Sequence, residues 1–464
     1  MQRLTEVRPV GREAHDAAVA ELAAAVRGIP DGSPIRLAKR TSNLFRPRGG
    51  TGVPGLDVSK LDGVVEVDPV ARTAQVQGMA TYETVVAATL AHGLMPLVVP
   101  QLRTITLGGA VTGLGIESSS FRNGLPHESV IEMDILTGSG EILTASRTER
   151  PDLFRGFPNS YGSLGYAVRL EIELEPITPY VHLSHIRFGS FTELVDGLTE
   201  AITGSYRGEP VDFVDGVVFS ATESYLVLGR KVEQAPYTSD YTGTQIFYRS
   251  LQQRTDDYLT ANDYVWRWDT DWFWCSKALG VQHPLVRRVL PRRYKRSDVY
   301  GKVIRFENQH GWMAALDARR GKLPRERVVQ DVEVPLKNTA QFLDWFMDNV
   351  PMRPIWLCPL VVREQDAGEQ PWPLYPLRRG EPYVNVGFWG TVEIPPGDAD
   401  GDANRRIEQV VDDLDGHKSL YSDAYYSAEQ FADLYGGAAY RELKKTYDPQ
   451  GRLPELYEKV VQRR

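Results

Sequence analysis

The densest run of residues suited to chemistry is Pro100 to Ser120, Pro-Gln-Leu-Arg-Thr-Ile-Thr-Leu-Gly-Gly-Ala-Val-Thr-Gly-Leu-Gly-Ile-Glu-Ser-Ser-Ser. Gly108, Gly109, Gly113 and Gly115 are interspersed with Thr104, Thr106, Thr112 and the Ser118 to Ser120 run. Main-chain N–H groups and hydroxyls can therefore approach an anionic ligand with no Cβ in the way. A pyrophosphate suits such a stretch; tight packing between apolar runs uses the same residue types. Gly113-Leu-Gly115-Ile-Glu-Ser118 comes near the dinucleotide fingerprint but fails it, because Ser118 stands where the third glycine belongs and no clear βαβ unit or following acid accompanies it. A second polar loop, Lys39-Arg40-Thr41-Ser42-Asn43-Leu44, follows the short strand that begins at Ile35 and suits either phosphate or solvent.

These loops need a scaffold. An Ala-rich helix over Arg12 to Arg27 carries Val19, Leu22 and Val26 on one face. Val64 to Asp68 and Thr73 to Gln77 read as one hairpin, and Val130 to Leu136 with Glu141 to Thr144 as another. Between them Thr81 caps a helix that ends at Gly93. Glycines return at Gly162-Ser-Leu-Gly165, before the alternating strand Val168 to Leu174. The first 180 residues are therefore α+β, with Pro176 to Pro179 as a boundary. Asn404 to Leu414 and Ala428 to Tyr447 have helical periodicity.

Composition narrows the function classes. A chain of 464 residues exceeds one ordinary core, so two domains are expected. The net charge of −8 argues against general nucleic-acid binding. No apolar run reaches the roughly 18 residues of a membrane span and no secretory h-region follows Met1, so a cytoplasmic location is expected. Cys275 and Cys358 stand far apart without metal-ligand spacing, and the few histidines also lack it, so neither a disulfide framework nor a metal is expected.

The motifs Arg103-Thr-Ile-Thr-Leu-Gly-Gly109, Gly113-Leu-Gly-Ile-Glu-Ser-Ser119 and Gly162-Ser-Leu-Gly165 resemble the FAD-binding (PCMH-type) domain of the vanillyl-alcohol oxidase and p-cresol methylhydroxylase superfamily. Gly113 to Ser120, Val329-Gln-Asp-Val-Glu-Val-Pro-Leu336, Pro354-Ile-Trp-Leu-Cys-Pro359 and Leu420-Tyr-Ser-Asp-Ala-Tyr425 narrow the resemblance to the delta-24 sterol reductase (seladin-type) branch. It implies a two-domain α+β flavoprotein: an FAD domain over 1–182, a cap or substrate domain over 183–420, and a segment over 421–464 that returns to the FAD domain.

Carried over motif by motif, the resemblance puts Arg40, Thr41, Ser42, Asn43 and Leu44 around the FAD pyrophosphate, with Thr104, Thr106, Gly108 and Gly109 opposite. It puts Gly113, Gly115, Ile116, Glu117 and Ser118 along the flavin and ribityl chain, Gly165 and Val168 at the adenine, and Tyr421 and Asp423 near the isoalloxazine. Many relatives tether FAD through a His or Cys, but the first loop has neither, so a non-covalent flavin is expected.

The branch implies reduction of an isolated lipid C=C bond with NADPH as electron donor. Such an alkene has no carbonyl to polarise it, so a proton must arrive before or with the hydride, which requires an acid and a dry aromatic cavity. Glu307, His310, Asp331, Tyr425 and Glu117 are the acid candidates. The Ala, Arg, Gly, Asp and Val usage suggests a GC-rich bacterial genome, and such bacteria seldom make sterols. The resemblance also extends to the actinobacterial flavoproteins that reduce 10-methylene fatty acyl chains to 10-methyl, and so implies that chain as the favoured substrate. A sterol side chain is the alternative, and an alcohol or sugar oxidase or a non-catalytic flavin-binding scaffold would be a rival class. Residues 266–305 break the overall acidity: four tryptophans, Trp266, Trp268, Trp272 and Trp274, precede Arg287, Arg288, Arg292, Arg293, Lys295, Arg296, Lys302 and Arg305. That stretch suits either a peripheral contact with anionic lipid or a solvated basic face beside core aromatics.

Overall fold

Alternating apolar residues build two antiparallel sheets in the computed structural model, which describes residues 7–39, 45, 54–310, 319, 321–363 and 371–462. In the first, both expected hairpins form, Val64–Asp68 against Thr73–Gln77 and Val130–Leu136 against Ile142–Ser146. The long strand Tyr166–Pro176 lies between them and also pairs with Leu94–Pro96. Its Leu170, Ile172 and Leu174 are buried, while Arg169 reaches Asp134 and Glu132 across the sheet. The helix Tyr82–Leu90 is capped as expected, the Thr81 hydroxyl accepting from the Thr84 N–H at 3.3 Å.

The second sheet begins at Tyr180, after Pro176 closes the first. Its strands run in the order Asp256–Thr260, Tyr180–Phe188, Glu223–Val232, Phe213–Ser220, Ile355–Val361, Pro382–Glu393, Arg325–Pro335, His417–Lys418. One face is covered by the helices Phe191–Ala201, Thr339–Asn349 and Asp402–Asp413, which bury Val328, Val332, Val334, Val384, Val386 and Phe388. The helix Phe191–Ala201 does so with Phe191, Leu194, Leu198 and Ala201, an i, i+3, i+7, i+10 stripe. The opposite parity of the same strands carries Asp331, Glu333, Asn385, Gly387, Trp389 and Trp356, and this face turns to the cavity described below.

The run Ala428 to Tyr447 is two helices, Ala428–Leu434 and Gly437–Tyr447, where the periodicity suggested one. Gly436 breaks it with φ 62°, and a Cβ there would fall 2.0 Å from the Pro373 carbonyl oxygen, so the chain must turn at glycine. The final segment packs against the first sheet's unit: Lys444 Nζ donates to the Ser163 carbonyl at 2.9 Å and Tyr447 Oη to Asp152 at 2.9 Å. No helix among the described residues is long and apolar enough to cross a membrane.

Candidate active site

A cavity of about 590 Å³ lies between the two units, within the size range of small-molecule sites. Part of its wall is the glycine stretch. The Thr106 hydroxyl accepts from the Gly109 N–H at 3.2 Å and starts the helix Leu107–Gly113, after which Leu114, Gly115 and Ile116 continue along the cavity. Gly109 presents bare backbone here, and Lys39 Nζ stands 4.0 Å from where its Cβ would be. Arg36, Lys39, Arg452 and Lys459 also line the cavity, with Glu455 and Glu458 as the acids of the same C-terminal segment. Gln101 Nε2 and Arg452 Nη2 are buried donors with no hydrogen-bond partner among the described residues, although both residues line the cavity.

A second part of the lining is aromatic. Phe45 stacks on Trp272 at 5.2 Å and meets Tyr421 edge-on at 5.7 Å; Phe273 contacts Trp389 at 4.3 Å and Trp356 at 5.3 Å. Trp272 and Phe273 are consecutive non-glycine residues in the left-handed region, at φ 44° and 59°. That conformation is costly, and here it sets two adjacent rings into one cavity wall.

Asp331 opens into the same cavity. The register aligns Asp331, Gly387 and Trp356 across three neighbouring strands. Gly387 makes the room: a Cβ there would sit 2.4 Å from Asp331 Oδ1 and 2.6 Å from the Trp389 ring. Asn385 Nδ2 donates to Asp331 Oδ1 at 3.2 Å, and Tyr421 donates to the same carboxyl while accepting from Trp389 Nε1 at 2.7 Å. Burial pushes the Asp331 carboxyl up to about 7, against those two hydrogen bonds, which favour the ion. Two positions on, burial pushes Glu333 up to about 8; Ser419, whose side of the strand also lines the cavity, donates to Glu333 Oε1 at 3.0 Å. Burial thus shifts both carboxyls toward the protonated form.

Of the residues singled out from the sequence, Thr106, Gly109, Gly113, Gly115, Ile116, Tyr421 and Asp331 line this cavity. Arg40, Thr41, Ser42, Asn43 and Leu44 lie outside the described residues. The others stand elsewhere. Gly108 is pressed against Gly78, Gly165 against the Leu136 carbonyl, and Val168 belongs to the core beside the first helix. Thr104 is partly exposed away from the lining, and Asp423 pairs with Arg327. Among the acid candidates, Tyr425 lies under Arg405 at 5.1 Å, while Glu307 and the exposed His310 sit on the helix Ser297–His310, outside the lining. Sequence reasoning did not find Gln101, Tyr161, Arg452, Lys459, Ser419 or Glu333; the basic pair in a segment returning to the first unit was the one available signal.

Glu117 and Ser118 form a buried knot behind the wall. Arg267 Nη2 donates to Glu117 Oε1 at 3.1 Å and to Asp215 Oδ2 at 2.8 Å, and its guanidinium lies 4.1 Å over the Tyr264 ring. Trp268 and Trp356 donate their Nε1–H to the same Asp215 oxygen, at 2.9 and 3.3 Å. Trp356 lines the cavity, so the knot fixes the orientation of one of its aromatic walls.

The glycine cradle beside Lys39, the orphan donors of Gln101 and Arg452 and the adjoining aromatic wall fit a flavin dinucleotide, whose pyrophosphate and carbonyl-bearing ring need those partners. Comparison with known proteins agrees. The FAD binding domain family matches residues 17–146. The human Delta(24)-sterol reductase is 28% identical over 415 residues, covering 86% of this chain and 76% of that protein. The Arabidopsis thaliana Delta(24)-sterol reductase is 26% identical over 447 residues, covering 87% and 76%. Cytokinin dehydrogenase 5 of Oryza sativa subsp. japonica is 34% identical over 134 residues, 29% of this chain and 25% of that protein. The chain is an FAD-dependent oxidoreductase, similar over most of its length to the Delta(24)-sterol reductases.

In this oxidoreductase Lys39, Thr106, Gly109, Gln101 and Arg452 would hold the dinucleotide. No Cys or His is among the described residues lining the cavity. Cys358 is buried in its strand, and desolvation pushes the Cys275 thiol up to about 12, which leaves it unreactive. Acid precipitation of the holoenzyme is expected to release all the flavin into the supernatant; absorbance that stays with the pellet would show a covalent bond.

Proposed function

We propose that the enzyme reduces an isolated C=C bond in a lipid by protonation and hydride transfer, with Asp331 as the acid. The observation that carries this reading is a carboxyl pushed up to about 7 that opens into an aromatic cavity. An unconjugated alkene is protonated to a tertiary cation, so the site must supply an acid still protonated near neutrality and walls that tolerate positive charge. Asp331 meets the first demand; Trp356, Trp389, Phe273 and Trp272 meet the second. Lys39, Thr106, Gly109, Gln101 and Arg452 would hold FAD, which would supply hydride chemistry to this cavity, with NADPH as the expected electron donor. Asn385 and Tyr421 orient the Asp331 carboxyl and stabilise the carboxylate left after it gives up its proton. Glu333, hydrogen-bonded to Ser419, keeps a second proton close by.

The favoured substrate is a 10-methylene fatty acyl chain, converted to 10-methyl. The GC-rich codon signature of the composition supports it, and a 1,1-disubstituted methylene makes the required tertiary cation on protonation. A second reading, a sterol side chain, is favoured by the names of the relatives, and its trisubstituted alkene makes the same kind of cation. The test is anaerobic incubation of the holoenzyme with NADPH and each lipid, followed by mass spectrometry. A two-hydrogen gain on the methylene-branched chain is expected. No gain there, with gain on the sterol, would transfer the assignment; rapid reoxidation in air with peroxide release and no lipid reduction would make the enzyme an oxidase.

A further inference from the structure

The helix Pro284–Val289 is turned inside out. Its Arg287 is 2% exposed, paired with both oxygens of Asp271 at 2.6 and 2.9 Å, and donates to the Thr244 carbonyl at 3.1 Å. Lys295 is likewise drawn inward, onto the Gly243 carbonyl at 2.9 Å. The apolar side chains face out: Leu285 is 70% exposed and Val289 78%. The neighbouring helix Ser297–His310 repeats the pattern, with Tyr300 and Ile304 packed inward and Val303 and Phe306 outward, Phe306 at 57% exposure. Tyr294 is exposed between the two helices. In water alone the hydrophobic effect would favour the opposite arrangement.

The charges around these side chains are basic. Arg288, Arg293 and Lys302 are exposed beside them. Among the acids nearby, Asp240 and Asp298 are engaged by Arg292 at 2.8 Å and Arg296 at 3.0 Å, and Glu307 is the acid beside Phe306 on the same helix. In a chain of net charge −8 this is a local reversal of sign. Apolar side chains standing among cations complement the acyl and headgroup layers of an anionic bilayer. The four tryptophans Trp266, Trp268, Trp272 and Trp274, read from the sequence as candidates for that contact, are buried and take no part.

We infer that this surface, centred on Leu285, Val289 and Phe306, docks the enzyme on anionic phospholipid membranes. The inference stands apart from the substrate reading, since it rests on no residue of the cavity. Its position adds to it: a Cβ at Gly301 would stand 3.9 Å from the Trp272 ring and Tyr300 donates to the Thr270 carbonyl at 2.9 Å, so the helix that would rest on the bilayer backs directly onto a cavity wall.

The test is co-sedimentation of the flavin-loaded enzyme with vesicles of phosphatidylglycerol and phosphatidylcholine, and with phosphatidylcholine alone, at low and high salt. Binding is expected to the mixed vesicles at low salt, weakened by salt and by omission of the anionic lipid. The pair Leu285→Asp and Val289→Asp should abolish it, with flavin absorbance unchanged as a check on folding. Arg288→Glu, Arg293→Glu and Lys302→Glu should each weaken it by about fivefold or more. No binding at low salt, or binding that survives the paired aspartates, would overturn the inference. A dimer in solution that those aspartates dissociate, without vesicle binding, would give the surface to a second copy and overturn it as well.

Discussion

Asp331→Asn is expected to lower kcat by about a hundred- to ten-thousandfold while the protein still binds flavin, because the amide keeps the carboxyl's shape but cannot deliver its proton. Single-turnover oxidation of the prereduced enzyme by the lipid isolates this step. The wild-type rate should hold below about pH 7 and fall as pH rises through it, since the proton-bearing form is the active one and burial sets that value. Stability should move the same way. The folded carboxyl binds its proton far more tightly than an unfolded Asp of pKa about 3.9, so its contribution is complete below that value and is lost as pH rises through about 7. The Asn variant should therefore be more resistant to denaturant than wild type above neutrality, though nearly inactive. A variant that keeps its rate would remove Asp331 from the chemistry; one that loses flavin would make it structural.

Arg267→Met should cost about 3–5 kcal/mol of stability, the range for removing one partner of a buried ionic cluster. The side chain is fully buried and is the cation shared by Glu117 and Asp215, so methionine leaves two carboxyl groups facing each other without it. Burial already pushes Glu117 upward, and loss of the guanidinium removes the strongest influence holding it down. Denaturant unfolding followed by flavin release would read the loss. Because Trp356 donates to Asp215, tryptophan emission should also change before global unfolding. Arg267→Lys should rescue little, since one ammonium cannot span both carboxylates and the Tyr264 carbonyl.

Much of the scaffold could be read along the chain because its signals are local. Both hairpins, the Thr81 cap and the strand through Leu170 and Leu174 follow from alternation and capping within a dozen residues. The glycine stretch announced a ligand wall, but composition could not say which glycines face it: Gly109 meets the cavity while its neighbour Gly108 serves only to let Gly78 approach. Val329-Gln-Asp-Val-Glu-Val carries Asp331 and Glu333 at one parity against Val332 and Val334 at the other, yet the burial that raises both carboxyls, and the opposing hydrogen bonds from Asn385, Tyr375, Ser419 and Tyr421, come from strands and loops far along the chain. The inward turn of Arg287 was equally hidden, because Asp271 and the carbonyls of residues 241–245 that receive it come from other elements.

The two sheets are not separable modules. Among the described residues, the charged pairs that join one unit to the other include Glu83 with Arg296, Arg103 with Asp269, Glu117 with Arg267, Glu175 with Lys231 and Glu173 with Arg363. Asp269 and Arg267 are buried within the second unit; Asp269 pairs with Arg103 of the first, and Arg267 is shared between Glu117 of the first and Asp215 of its own. A fragment cut near residue 180 would bury Asp269 without Arg103 and leave Arg267 with Asp215 alone, so grafting the substrate-facing half onto another flavin domain requires the matching glutamates and arginine to travel with it. Specificity in this architecture is engineered by altering side chains in the wall, around Trp356 and Trp389, and not by exchanging halves.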